Sequence, residues 1–366
     1  MIPMVDIAAG HTALQEDIAN ALKDIVATGQ FVGGPHVQGF EKEAATFLGA
    51  PYAISCASGT DALHMALRAL DIGPGDEVIT TPFTYFATVE AIFYVGAKPV
   101  FVDIDPHTFN IDVSQLEEAV TPATRAIVPV HIFGQPAAMD QLMPLAKKHH
   151  LHVVEDCAQS FGARHGADFT GTFGDVGCFS FFPTKNLGAC GDGGLMTTHS
   201  PELADKLRLL CSHGSNERNH HKIIGYNSRL DSMQAAILRI KLNHVHECNR
   251  ARRQVADWYR EGLGDVSGIE APTVNAGGDH VYHQFTILVP EQVRETIRHH
   301  LSEQGIASAI HYALPAYRQQ ALPEEYHSHK LPVAESVTAR CLSLPIYPEM
   351  SREQVDRVVQ AVRESW

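Results

Sequence analysis

Residues 176–194 read VGCFSFFPTKNLGACGDGG, and this stretch decides how the rest of the chain is interpreted. The apolar run 176–182 predicts a buried strand that stops at Pro183, and Lys185 follows in front of a glycine-rich turn. We expect this lysine to lie at the rim of a sheet, partly desolvated, which lowers the pKa of its amine. Such an amine suits imine chemistry, although a lysine that merely opens a surface loop gives the same local pattern.

Strands and helices alternate over the first half of the chain. Short apolar strand patterns, each leading into a turn or a helical pattern, recur at 52–56, 77–81, 98–105, 126–134 and 150–156. This alternation predicts an α/β fold with a mostly parallel sheet covered by helices, in which ligands bind at the carboxyl ends of the strands. The turn 58–60, Tyr85, Asp156 and Lys185 all fall at or after predicted strand ends, so we expect them to meet at one edge of the sheet.

The character of the sequence changes after a long helical pattern at 249–263. Beyond it we predict, in order, a strand, a helix, a strand and a terminal helix, at 280–289, 291–304, 307–312 and 351–365. These elements suit a smaller α+β domain. We therefore divide the chain into a large domain of residues 1–248 and a small C-terminal domain of residues 249–366.

Charge and cysteine content exclude several classes of protein. The net charge of −14 argues against general nucleic-acid binding and against attachment to anionic membranes. The seven cysteines are odd in number and contain no CxxC pair, which argues against a disulfide framework and a zinc ribbon. Because the sequence shows no leader pattern and no long apolar run, we expect a cytoplasmic protein.

If Lys185 forms an imine, the cofactor that makes this useful for amine chemistry is pyridoxal phosphate. The ring nitrogen of that cofactor needs a buried carboxylate, and Asp156 at the end of its strand fits. Its phosphate needs backbone donors and a hydroxyl near a helix start, which Gly59, Thr60 and Ser180 could supply. A simple helix cap at residues 58–60, and an aspartate that caps the next turn, remain alternatives.

Two further side chains complete this predicted cofactor site. Tyr85 could give the ring an aromatic face, although a lone tyrosine is more often part of the core. Gln159, three residues after Asp156, could bond the phenolic oxygen of the cofactor. We therefore predict pyridoxal phosphate as the cofactor and Lys185 with Asp156 as the catalytic pair.

Five ordered motifs resemble those of the DegT/DnrJ family: GTDAL (59–63), GDEVITTPFTYFAT (75–88), VEDCAQSFGA (154–163), FSFFPTKNLGACGDGG (179–194) and NSRLDSMQAAIL (227–238). Members of that family are pyridoxal phosphate-dependent sugar aminotransferases of fold type I. The resemblance implies a seven-stranded, mostly parallel sheet with a smaller C-terminal domain. It also implies that glutamate donates the amino group and that a nucleotide-linked keto sugar accepts it.

The resemblance further implies a homodimer with a shared active site, in which Asn227 reaches the phosphate bound by the neighbouring subunit. Arg229 and the basic segment 215–222 would then lie near that site and could hold an anionic sugar nucleotide. This segment contains Arg218, His220, His221 and Lys222. Because adjacent side chains point in different directions, the two histidines are poor joint ligands, and we predict no metal site.

Substrate recognition is where the sequence departs from the family. Many members carry a proline after the HY pair and then a histidine, whereas HYALPAYRQQ (311–320) has Ala313 and Tyr317 there. We expect His311, Tyr312 and Tyr317 to contact the sugar. The GDGG turn at 191–194 resembles members that aminate C3, while GEGG is more frequent in C4-specific members, so C4 remains an alternative.

Three other functions fit the sequence less well. Sugar dehydratases related to the family replace the lysine with histidine, but Lys185 is present. A nicotinamide-dependent oxidoreductase would need G-x-G-x-x-G after the first strand, and the sequence there is ASGTDAL. A non-catalytic regulator on a transaminase scaffold is disfavoured, though not excluded, by the intact Lys185, Asp156 and Ser180.

Overall fold

A computed structural model describes residues 1–217 and 219–365. The helices are α1 (Ile7–Thr12), α2 (Gln15–Thr28), α3 (Pro35–Leu48), α4 (Gly59–Ala69), α5 (Ala87–Tyr94), α6 (Leu116–Ala119), α7 (Met139–Lys148), α8 (Pro201–Cys211), α9 (Ser232–Leu242), α10 (Val245–Leu263), α11 (Glu291–Glu303), α12 (Pro332–Arg340) and α13 (Arg352–Glu364). The strands are β1 (Tyr52–Cys56), β2 (Glu77–Thr80), β3 (Lys98–Phe101), β4 (Thr124–Val128), β5 (His152–Asp156), β6 (Arg164–His165), β7 (Asp168–Phe169), β8 (Val176–Ser180), β9 (Gly194–Thr198), β10 (Ser215–Glu217), β11 (His220–His221), β12 (Gly278–Asp279), β13 (Phe285–Leu288) and β14 (Cys341–Leu344).

The large sheet has seven strands in the described part of the chain, in the order β1-β9-β8-β5-β4-β2-β3. The pairs from β8 through β3 are parallel, and only β9 runs antiparallel to its two neighbours. Helices cover the sheet through three apolar clusters. One contains residues of α4 and α8, a second contains residues of α9, and a third contains residues of α7. The predicted α/β fold with a mostly parallel, helix-covered sheet is confirmed.

Strand β9 was not predicted. Its five residues follow directly on the glycine-rich turn, so the local sequence carries too short an apolar run to separate a strand from the turn before it. The strand is nevertheless fully buried, because it lies between β1 and β8. It closes the gap between the strand that leads to the Gly59 turn and the strand that leads to Lys185.

The C-terminal part of the chain has its own core. Residues of α10, β13, β14 and α13 pack together there, and Ile2 from the N-terminus joins them. The strand predicted at 307–312 is wrong: Ala309 makes only an isolated bridge to Ser343, and the partner of β13 is β14 instead. All six residues of 307–312 are only partly buried, so the apolar residues of this segment do not mark a buried strand face. The proposed boundary at residue 248 lies within α10 and stays a prediction.

Candidate active site

The carboxyl ends of β5 and β8 bring the predicted site residues to one edge of the sheet. Asp156 is the last residue of β5, and its neighbour strand β8 ends at Ser180. Lys185 follows in a tight turn in which its backbone N–H donates to Phe182 O at 2.9 Å. Parallel strands end at this edge of the sheet, which is where ligands bind in such folds.

Asp156 is a buried carboxylate with 5% of its surface exposed. Its Oδ2 accepts a hydrogen bond of 2.8 Å from Thr88 Oγ1, and its Oδ1 accepts one of 3.1 Å from Ala158 N. Burial raises the pKa of Asp156, while these two donors and the charges of Lys185 and His131 act against that increase. Sequence reasoning missed Thr88, because one threonine in the helix start TPFTYFAT gives no signal of its long-range partner.

Lys185 is half-buried, and its charge acts on this carboxylate. Burial lowers the pKa of its amine from 10.5 to about 8, and the charge of Asp156 acts in the opposite direction. The charge of each group therefore affects the titration of the other. The structure thus contains the desolvated amine and the acidic neighbour on which the sequence interpretation depended.

The start of α4 lies against the end of β8. A Cβ atom on Gly59 would lie 2.6 Å from Ser180 Cβ, so only glycine allows this close approach. Ser58 caps the helix by accepting from Asp61 N at 3.1 Å, and Thr60 is half-buried in the first turn. The free N–H groups and the positive end of an 11-residue helix favour an anion at this place.

Gln159 and Tyr312 are joined across the two parts of the chain. Gln159 Oε1 accepts from Phe133 N at 2.6 Å, and Gln159 Nε2 donates to Tyr312 OH at 2.8 Å. Tyr85 is 63% exposed, and its ring centroid lies 6.4 Å from that of Tyr312. Tyr85 is therefore not a core residue, which was the alternative interpretation of this tyrosine.

Two histidines from the C-terminal part have pKa values on which the charge of Lys185 acts. His311 Nδ1 lies 3.1 Å from Ser343 Oγ, and burial, followed by the charge of Lys185, lowers its pKa. His283 was not predicted. Its Nδ1 is buried without a hydrogen-bond partner, and burial together with Lys185, Arg252 and His311 lowers its pKa well below the usual range. The only sequence signal for it was a polar residue inside the apolar pattern HVYHQFTILV (280–289).

Other predicted residues lie apart from this cluster. Arg229 Nη2 donates to Asn227 Oδ1 at 2.7 Å, and both side chains are exposed in the single chain. Arg229 and Lys222 line a separate cavity of about 530 Å³. Tyr317 is fully buried, and its hydroxyl donates to Glu335 Oε1 at 2.8 Å, so the structure does not bring it to Lys185. Arg218 lies outside the described residues.

One buried group of potential metal ligands, His131, Glu155 and Cys157, occurs among the described residues. His131 Nδ1 accepts from Ala137 N at 3.0 Å, which leaves Nε2 to donate to Glu155 Oε2 at 3.0 Å. Glu155 also accepts three backbone N–H bonds, from residues 171, 173 and 174. The potential ligand atoms of His131 and Glu155 are thus already engaged in hydrogen bonds within the protein. We interpret the two residues as structural residues next to Asp156.

Within the described ranges, no helix combines the length and the apolar character that a membrane span requires.

Comparisons with known proteins cover nearly the whole chain. The model of the DegT/DnrJ/EryC1/StrS aminotransferase family matches residues 12–363. The UDP-N-acetyl-3-dehydro-alpha-D-glucosamine 3-aminotransferase of Acidithiobacillus ferrooxidans is 47% identical over 364 residues, which is 100% of this chain and 98% of the relative. A pleiotropic regulatory protein of Geobacillus stearothermophilus is 44% identical and covers 99% of this chain and 98% of its own length. Among solved structures, S. venezuelae DesV in complex with a ketimine intermediate superposes with a TM-score of 0.95 at 42% identity, covering 99% of this chain and 98% of DesV.

Proposed function

The chain belongs to the DegT/DnrJ/EryC1/StrS aminotransferase family, and from this premise we propose that it transfers an amino group from glutamate to C3 of a nucleotide-linked keto sugar. The family consists of enzymes that depend on pyridoxal phosphate, so the protein is an aminotransferase of that kind. The observation that carries the proposal is the placement of half-buried Lys185, in the turn after β8, and the buried carboxylate of Asp156, at the end of the neighbouring strand β5, where the charge of each acts on the other.

The residues at the sheet edge fit pyridoxal phosphate. Asp156 offers a buried carboxylate whose two oxygens are already held by neutral donors, which suits pairing with a protonated ring nitrogen. The first turn of α4 offers backbone N–H groups beside Thr60 and Ser180, which suits a phosphate. Lys185 would bind the aldehyde carbon. When bound, this cofactor supplies an electron-withdrawing ring that stores the electron pair released at carbon during amino transfer.

Further contacts to the cofactor belong to the same proposal. Gln159 would bond the phenolic oxygen, for which it would exchange its present bond to Tyr312. The exposed ring of Tyr85 would lie against the cofactor ring. Asn227 would reach the phosphate held by the partner subunit, and its exposure in the single chain supports this assignment.

Lys185 would move the proton in both halves of the reaction. At neutral pH an amine with a pKa of about 8 is partly unprotonated, so its Nζ can accept the proton from the α-carbon of glutamate. The same Nζ then returns a proton at the carbon of the sugar. A lysine with its ordinary pKa of 10.5 would be almost fully protonated at this pH and a poor base.

Asp156 would remain ionised throughout. Burial alone favours its protonated form, but Thr88 and Ala158 donate hydrogen bonds to the carboxylate and thereby favour the charged form. The same two bonds hold the carboxyl group in one orientation. We therefore assign Thr88 as the residue that positions Asp156.

Two observations support a sugar nucleotide aminated at C3. The relative from Acidithiobacillus ferrooxidans carries this position and a UDP-linked sugar in its name. The GDGG turn at 191–194 also resembles C3-specific members. The proposed contacts to the substrate are exposed Arg229, together with His311 and Tyr312 from the C-terminal part. Tyr317 has the least support as a fourth contact, because its hydroxyl donates a hydrogen bond to Glu335.

A regulator that performs no catalysis is the second candidate, because the relative from Geobacillus stearothermophilus is named a pleiotropic regulatory protein. The intact Lys185, Asp156 and Ser180 argue against such a protein, because these residue types suit the chemistry of amino transfer. One assay separates the two functions and the two positions of amination. Purified protein is incubated with pyridoxal phosphate, ¹⁵N-labelled glutamate and 3-keto or 4-keto nucleotide sugars, and the label is located by NMR. Label at C3 supports the proposal, label at C4 supports the alternative position, and no labelled sugar with any acceptor supports the regulator.

A further inference from the structure

Asn186 connects the turn that carries Lys185 to the C-terminal half of the chain. Its Nδ2 donates two hydrogen bonds, one of 2.8 Å to Asn249 Oδ1 on α10 and one of 2.9 Å to Val281 O. Asn186 directly follows Lys185 in the sequence, so these bonds also restrict where the backbone of Lys185 can lie. The turn is therefore held from outside at the residue next to the proposed reactive amine.

Asn249 continues this connection to the segment that follows Asp156. Asn249 is 2% exposed, and its Nδ2 donates to Phe161 O at 3.1 Å. The two segments pack closely there, because a Cβ on Gly162, which has a φ of +83°, would lie 2.8 Å from Asn249 Nδ2. The two amides thus form a bridge, the Asn186–Asn249 bridge, between the segment of Asp156 and the turn of Lys185.

The two ends of this bridge fix the orientation of both amides. Phe161 O and Val281 O are carbonyl oxygens, which only accept hydrogen bonds. Asn249 must therefore turn its NH₂ group toward Phe161 and its oxygen toward Asn186. Asn186 in turn must direct its NH₂ group toward Asn249 and Val281. A flipped amide at either position would place two acceptors against each other, so the bridge has one geometry.

Stability alone does not explain an amide at position 186. Asn186 Oδ1 is buried and has no hydrogen-bond donor among the residues that the structure describes. A buried acceptor without a donor costs free energy, whereas replacing a hydrogen-bonded pair by apolar side chains of the same shape is nearly neutral or stabilising. The amide is therefore better explained by the geometry that it imposes on the turn than by the stability that it adds.

We propose that Asn186 and Asn249 are positioning residues for amino transfer, whose bridge holds Lys185 at a fixed place relative to the segment of Asp156. Both residues act through the backbone of the turn and need no contact with the substrate. The inference rests on the proposed function, because it concerns the proton transfers made by Lys185. Displacement of a reacting group by about 1 Å can cost roughly a hundredfold in rate, so a loosened turn should affect chemistry more than binding.

The first test compares Asn186→Ala and Asn249→Ala with a matched control, Asn275→Ala. Asn275 is half-buried like Asn186, and its Nδ2 donates to Pro136 O at 2.9 Å, away from the bridge. We expect kcat of the first two variants to fall roughly ten- to a hundredfold, while KM for both substrates changes by less than about threefold. The control should keep wild-type values. Wild-type kcat in the two bridge variants, or an equal fall in the control, would overturn the proposal.

The double variant separates one shared bridge from two independent structural effects. Residues that act through one bond have non-additive effects, so kcat of Asn186→Ala combined with Asn249→Ala should be no lower than that of the slower single variant. Losses that multiply in the double variant would show that the two side chains act separately, and the bridge would then be wrong.

A test on the enzyme without cofactor does not depend on turnover. The pH dependence of Lys185 labelling by acetic anhydride is followed by mass spectrometry, with exposed Lys148 as the internal reference. Burial lowers the pKa of Lys185 to about 8 and outweighs the charge of Asp156, so a loosened turn should move the labelling midpoint from about 8 toward 10.5. His283 and His311 have lowered pKa values and are neutral over this range. An unchanged midpoint in the bridge variants would refute the positioning role.

These results separate the inference from the proposed function. A wild-type enzyme that transfers no amino group would refute the proposed function, whereas the labelling midpoint would still decide whether the bridge positions Lys185. Amino transfer by the wild type, with unchanged kcat and midpoint in the variants, would refute the bridge alone. Urea unfolding verifies that each variant folds, and Asn186→Ala is sufficient for the labelling test if Asn249→Ala does not fold.

Discussion

Thr88 Oγ1 donates a hydrogen bond of 2.8 Å to Oδ2 of Asp156 across 68 residues of sequence. The bond joins the first turn of α5 to the end of β5, and it opposes the effect of burial on the pKa of Asp156. It therefore connects the local packing at the sheet edge with the ionisation on which the proposed chemistry depends.

Thr88→Val removes this donor and keeps the shape of the side chain. The carboxylate loses a hydrogen bond that favours its charged form, so the pKa of Asp156 rises further. Asp156 must be ionised for activity. As the pH is lowered, kcat/KM of the variant should therefore begin to fall at a higher pH than kcat/KM of the wild type. A bond to a charged group is worth about 1.5–3 kcal/mol, which predicts a displacement of about one to two pH units in kcat/KM. Thr88→Ser should keep the wild-type profile, and an unchanged profile for Thr88→Val would exclude this role.

Lys185→Met should lower the rate of amino transfer by at least about 10²–10⁴-fold, which is the contribution of a general base of this kind. It should also stabilise the protein without cofactor at pH 7. The folded state holds Lys185 at a pKa of about 8 against 10.5 when unfolded, so the unfolded state binds more protons between these values and wild-type stability rises over that window. The advantage of the variant, on the order of 1–3 kcal/mol, is thus complete below pH 8 and disappears toward pH 10.5.

Urea unfolding of the two proteins between pH 7 and pH 10.5 measures this difference. A constant gap across the range, or a less stable variant at pH 7, would show that Lys185 is not held in a desolvated state.

Mixed dimers test the shared site. Lys185→Ala and Asn227→Ala each inactivate both sites of their own homodimer if Asn227 acts in the partner subunit. A mixed dimer then has one site with both residues intact. Co-refolded equal amounts should recover roughly a quarter of wild-type activity, since half of the dimers are mixed and each has one good site. Recovery no greater than that of the separate variants would place Asn227 in its own subunit's site.

Gly59→Ala places a methyl group 2.6 Å from Ser180 Cβ, which forces the start of α4 away from β8. Such overpacking costs about 1–3 kcal/mol, and the displaced N–H groups should also bind phosphate less well. Thermal unfolding and the dissociation constant of pyridoxal phosphate measure the two effects. Gly73→Ala is the control, because a Cβ there would be 3.7 Å from its nearest neighbour. Equal behaviour of both variants would remove Gly59 from the phosphate site.

Much of the fold could be predicted because parallel strands are short apolar runs that stop at recognisable turns. The ends of β1, β5 and β8 located Gly59, Asp156 and Lys185 in this way. Strand β9 was not predicted, since it begins within the glycine turn. Strand β14 was not predicted either, because its pairing with β13 spans more than fifty residues of sequence.

Residues that act through long-range contacts could not be predicted. Thr88, His283 and Asn249 carry no local signature, and their partners are decided by how the two parts of the chain pack. Tyr317 shows the opposite problem: alignment with a family motif placed it near the sugar, whereas its neighbours Val89 and Phe101 enclose it in a core.

The central claim is that the amine of Lys185 is the group that binds pyridoxal phosphate. Holoenzyme is reduced with borohydride, digested, and analysed by tandem mass spectrometry for a phosphopyridoxyl group. Our account predicts one modified residue, Lys185, and loss of the label when the enzyme is first incubated with glutamate. A label on another lysine, or an unmodified Lys185 in enzyme that retains the cofactor, would contradict it.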